Sequence, residues 1–257
     1  MRNFNNMNKA EYDEYMSHFN KAYNAFDAIM GFANKIDLEK LAYMRKAAEF
    51  NADNRITETH RANLVQEAYQ NAMRNLESFW LTAEKLFPTF AEELDAITEH
   101  LDLNDNRLTA AVSLMNAAGA QKTGVGSMPS GAVQDALVEP FNGNYEALMM
   151  LRGLAESVGL GGAVSKIDEH IKVIEKAQQF VGMAEHFMYQ GTRDPEGDFV
   201  QFDIAPYAKA VEIVYGFATT EIPEELMLAA TRKAMGLPAE YPDGFTRIPP
   251  DHPSLKV

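Results

Sequence analysis

The chain has 257 residues, 46% of them hydrophobic, enough for one large domain or two small ones, each with a buried core. Its 23 Lys and Arg stand against 37 Asp and Glu, and the resulting net charge of −14 disfavours sequence-independent binding to a nucleic-acid backbone. The absence of cysteine excludes disulfides, thiolate nucleophiles and Cys-ligated zinc or iron-sulfur centres.

The opening Met1-Arg2-Asn3-Phe4-Asn5-Asn6 has no apolar signal-peptide region, and no run approaches the roughly 18 apolar residues of a membrane span. The expectation is a cytoplasmic protein without a membrane partner.

Gly31 and Pro88 are the only glycine and proline before Gly119, so the first part of the chain reads as nearly uninterrupted helix. Asn8 with Glu11 forms a capping-box start. Tyr12, Phe19, Phe26 and Ala33 then recur every seven residues, with Tyr15/Met16, Ala22/Tyr23 and Ile29/Met30 between them, which lays a wide apolar stripe along one helix. Asp37 is placed to cap a second helix carrying Leu38, Leu41 and Met44, ended by the turn Asn51-Ala52-Asp53-Asn54. A third helix is expected from about Ile56 to Phe87. Pro88 stops it and opens a fourth with Phe90, Leu94 and Ile97, and Asn104 or Asp105 caps a fifth with Leu108, Val112 and Met115.

The stretch 119–131, GAQKTGVGSMPSG, reads as a loop or hinge. It divides an N-terminal helical bundle (1–118) from a C-terminal helical part (132–236), which is followed by an extended proline-rich tail (237–257). In the second part, Asn144 to Val158 forms a helix ended by Gly159, and Ser165 with Asp168 resembles a capping box opening a helix to about Tyr189. Asp198 to Asp203 has the pattern of a lone strand. Pro206 starts the next helix, and Pro223, Glu224, Glu225, Arg232, Lys233 and Gly236 mark the two ends of the last. The fold class is therefore all-α: a multi-helix bundle with long antiparallel helices.

Four chemical motifs are weighed and set aside. Gly119 and Gly124 have the spacing of a phosphate-binding loop, but Val125 and Gly126 stand where Lys and Ser/Thr are needed. His100, His170 and His186 follow glutamates directly, whereas a di-iron bundle needs Glu-x-x-His so that both ligands share a face. Thr192, Asp194, Glu196, Gly197 and Asp203 follow calcium-loop spacing, with threonine leading and aspartate where a bidentate glutamate belongs, so this segment reads as an acidic turn. Met149-Met150 is taken as core filler rather than a partner-binding face. No cofactor, metal or nucleophile motif is expected.

The functional expectation is a non-enzymatic helical protein that works through contacts with a protein partner or in a homo-oligomer. A viral or phage assembly would suit these features by fold-level analogy alone. The contact residues assigned to it are Tyr241, Phe245, Ile248 and Leu255, apolar anchors in a prolyl tail that either packs along its own bundle or docks on a neighbouring subunit as an extended arm. A rival class is an acidic inhibitor or decoy that engages a basic protein through Glu92, Glu93, Asp95, Glu99 and Asp102, a run without Lys or Arg. A helical enzyme with an unrecognised site is the third class.

Overall fold

The structure is a computed structural model that describes residues 7–121, 138–218 and 220–238. Most of the glycine-rich stretch and all four tail anchors, Tyr241, Phe245, Ile248 and Leu255, lie outside the described residues. Eight α-helices have both ends within them: α1 (Lys9–Ala52), α2 (Glu58–Ala83), α3 (Leu86–Ile97), α4 (Asn106–Gln121), α5 (Tyr145–Ser157), α6 (Gly161–Gly191), α7 (Val200–Tyr215) and α8 (Glu224–Ala234). A single 3-10 turn spans Glu139–Phe141, and no strand occurs among the described residues. The protein is an all-α helical bundle. Among the described residues no helix is long and apolar enough to cross a membrane.

Local signals set most helix ends. The Asn8 backbone N–H donates to Glu11 at 2.9 Å and the Glu11 N–H donates to Asn8 at 3.0 Å, the reciprocal pair of a capping box. Asp105 accepts the Arg107 N–H at 2.8 Å ahead of α4, and Asn144 accepts the Ala147 N–H at 2.9 Å ahead of α5. Gly159 and Gly236, both with φ of +71°, follow α5 and α8 in the left-handed region that other residues avoid.

Four sequence expectations are corrected. Helix α1 does not stop before Asp37, because nothing from Ala33 to Ile36 breaks it, and it runs unbroken to Ala52. Ser165 lies inside α6, which begins four residues earlier, and Asp168 instead bonds Arg152 at 2.7 Å. The expected strand at 198–203 is the start of α7, and Pro206 sits within that helix rather than opening it. Met149 and Met150 are both exposed on α5, whereas Met30, Met115 and Met188 fill the core.

Packing divides the described residues into two units that interleave in sequence. The first draws on Met1–Tyr23, Phe90–Val181 and Pro206–Ala218, the second on Asn24–Thr89, Gly182–Ala205 and Thr219–Val257. In the first, the Phe217 ring lies 5.1 Å from Phe19, 5.8 Å from Tyr23 and 6.5 Å from Phe90, and Phe90 meets Phe180 edge-on at 5.5 Å. One aromatic cluster thus ties the start of α1 to α3, α6 and the end of α7. In the second, Leu41, Phe199, Leu226 and Ala229 form a buried cluster that joins α1, the start of α7 and α8. Burying each Leu or Phe of these clusters contributes roughly 1.5–3 kcal/mol.

Candidate functional site

The most strongly perturbed titratable groups lie in the second unit, where α1 meets the start of α7. Asp37, from α1, caps the start of helix α7. Its two carboxylate oxygens accept the N–H groups of Val200 and Gln201, each at 2.8 Å. Two otherwise orphaned donors are satisfied at the positive end of the α7 dipole. One turn along α1, Lys40 donates to the backbone carbonyl of Asp198 at 2.5 Å. Close approach is needed here: a Cβ on Gly191 would fall 2.1 Å from Val200 Cγ2 and 3.7 Å from Lys40 Nζ.

Asp37 and Lys40 are both fully buried. Burial pushes the Asp37 carboxyl up from 3.8 to about 7, against the opposing pull of the Gln201 and Val200 N–H groups and of Lys40. Desolvation likewise holds Lys40 below its ordinary value, opposed chiefly by the charge of Asp37.

The surrounding segment carries its own polar contacts. Lys233 bonds Asp198 at 2.7 Å and holds that carboxyl below its usual range, while Asp203 is pushed up by burial and by the charge of Asp198. Tyr43 donates to Glu196 at 2.8 Å, and its phenol is pushed up to about 12, chiefly by burial. Asp194 accepts the Glu196 N–H at 2.9 Å, so the acidic turn is closed by its own carboxylate. Through Asp37, Lys40 and Tyr43 this centre ties the 196–201 segment to α1.

The acidic run is divided by the fold. Glu92, Asp95 and Asp102 are exposed. Glu93 turns inward and meets His18 at 2.6 Å and Lys21 at 3.2 Å, both on α1. Glu99 pairs with Arg107, which also bonds Asp105 at 2.6 Å and the Pro140 carbonyl at 2.9 Å. Two of the five carboxylates are thus spent on internal cations that the linear run conceals. Among the described residues no group of three or more His, Asp or Glu side chains could hold a metal ion.

Large apolar side chains stand in water in both units: Leu103, Leu114, Ile213 and the Met149-Met150 pair in the first, Leu81 and Met227 in the second. Sequence reasoning missed Lys40 and the reach of Asp37, since neither has a partner nearby in the chain.

Fold and site together define an all-α helical-bundle protein whose strongest polar centre is internal. No family model, no curated protein and no solved structure matches the chain.

Proposed function

We propose that this chain is a non-enzymatic helical protein that acts through protein–protein contacts, as a homo-oligomer or as a component of a larger assembly. The observation that carries this reading is an inversion of an enzyme's usual layout. The most perturbed ionisable pair, Asp37 and Lys40, is sealed, whereas large apolar side chains such as Leu103 and Leu81 are left in water. The tail anchors Tyr241, Phe245, Ile248 and Leu255 add apolar area on a segment whose prolines restrict its unbound ensemble, so docking it loses less entropy.

Truncation after Pro238, which keeps the bond from Arg232 to the Pro238 carbonyl, tests the reading. The shortened chain should stay helical by circular dichroism, melt nearly as before, and lose its oligomeric mass in light scattering. A full-length chain that is monomeric at all concentrations and captures no partner from its native host would overturn it.

A further inference from the structure

We infer that a groove beside Trp80 is the receptor for the chain's own C-terminal tail. The inference deepens the contact reading and rests on it for the role of the tail. The groove encloses about 270 Å³ and lies wholly within the second unit. Met73, Trp80 and Leu81 of α2 form its apolar wall, with Leu81 51% exposed. Tyr189, near the end of α6, meets Trp80 edge-on at 5.4 Å. Arg193 lies over the Tyr189 ring at 4.4 Å and donates to its hydroxyl at 2.5 Å, which holds the guanidinium at the rim beside Thr192. Arg74 is the second cation and Glu77 the single anion. In a chain of net charge −14, this surface is locally positive.

Charge and reach select the occupant. The start of the tail, Ala239-Glu240-Tyr241-Pro242-Asp243-Gly244-Phe245, carries two carboxylates, no cation and two aromatic rings. It therefore complements an apolar wall flanked by arginines. A second apolar hollow, beside Phe199 and Phe202, fits less well because Asp198 and Asp203 outnumber its single cation, Lys233.

The described chain ends at Pro238, whose carbonyl accepts from Arg232 at 2.7 Å. Neighbouring Lys233 bonds Asp198 at 2.7 Å, and Asp198 lies five residues from Arg193. Followed through these bonds, Pro238 and the groove are separated by no more than about 45 Å, whereas residues 239–245 span roughly 25 Å and residues 239–257 roughly 60 Å when extended. The full tail therefore covers the longest path within its own chain, and its aromatic start can equally enter the groove of a second copy, where that path sets no limit.

Trp80 is the only tryptophan and reports the groove directly. In the full-length protein, Phe245→Ala and, separately, Arg193→Asp should move its emission to longer wavelength. Each should also raise acrylamide quenching at least about twofold as the ring loses cover. Arg193 is exposed, and circular dichroism should confirm an intact fold in both variants. Combining Arg193→Asp with Asp243→Arg should return most of the protection, as should adding a synthetic 239–257 peptide to the Phe245→Ala variant. Unchanged quenching in both single variants, or a charge swap that restores nothing, would overturn the inference. Mass by light scattering keeps the two readings apart. Lost protection at constant mass places the tail on its own chain, which upholds the groove and removes the assembly role. Lost mass at constant protection upholds assembly and removes the groove.

Discussion

Two charged centres, one in each unit, behave in opposite ways. At Asp37 and Lys40 the charges are fully buried and desolvation dominates, raising the acid and lowering the base. At Arg107 the partners keep some contact with water and pairing dominates. Its bonds with Asp105 hold that carboxyl below its usual range and the guanidinium above its own. The first centre joins residues 158 to 164 positions apart, whereas Arg107 lies two residues from Asp105 and eight from Glu99. A buried pair is held by the whole fold, and its charges lower stability wherever a partner is missing. A half-exposed local pair adds a modest increment whether or not the rest of the fold is perfect.

Breaking the buried centre should have the largest effect. Asp37→Ala strands two helix N–H donors beside an unpaired Lys40, and should cost about 3–5 kcal/mol in urea unfolding. Replacing both residues with apolar ones, Asp37→Leu with Lys40→Met, should recover part of that loss. A double variant as unstable as Asp37→Ala would mean that capping of α7, rather than the buried charge, dominates.

The pH dependence comes next. The folded carboxyl of Asp37 titrates near 7 against an ordinary 3.8, so between these values the folded state binds the proton more tightly. Its contribution is fully present below about pH 4 and is lost as pH rises through 7. Relative to Asp37→Asn, the wild type should lose on the order of 2–4 kcal/mol across that window in denaturant titrations. Asp105 has the opposite sign, contributing above its ordinary value and losing that contribution only as pH falls further. A difference between wild type and Asp37→Asn that does not vary with pH would show Asp37 to be ionised throughout.

Smaller effects belong to the pairs that keep contact with water. Arg107→Ala removes bonds to Asp105, Glu99 and the Pro140 carbonyl, and should cost about 1–2 kcal/mol in the same assay, reduced by solvent access. Arg55→Ala, at the exposed Asp53 pair beyond the end of α1, should leave the unfolding midpoint unchanged.

Several features of the fold were legible locally. The alternation of capping residues with apolar spacing located seven of the eight helices to within a few residues at one end at least, because a cap and its first turn are neighbours in the chain. The stripe on α1 is buried from Ala22 through Phe26, Ile29, Met30 and Ala33, while Tyr12 stays outside it. Asp37 was legible as a cap and misassigned in its target. Its carboxylate does cap a helix, but that helix begins 163 residues later, and no spacing rule spans such a distance. The segment from Asp198 to Asp203 failed for the complementary reason: its alternating pattern favours a strand, and the cap that makes it a helix comes from α1. The partners of Glu93 were hidden for the same reason, since His18 and Lys21 sit on α1, far from it in the chain.

Local signals suffice for an all-α protein, most of its helix boundaries and the apolar face of its first helix, because propensity, capping and 3.6-residue periodicity act over a few residues. Contacts between distant segments settle which charges are sealed and which stay in water, which carboxylate caps α7, and that Met73, Trp80, Leu81 and Arg193 line one groove. Those outcomes depend on desolvation and on contacts between residues distant in the chain, and a linear pattern does not encode either.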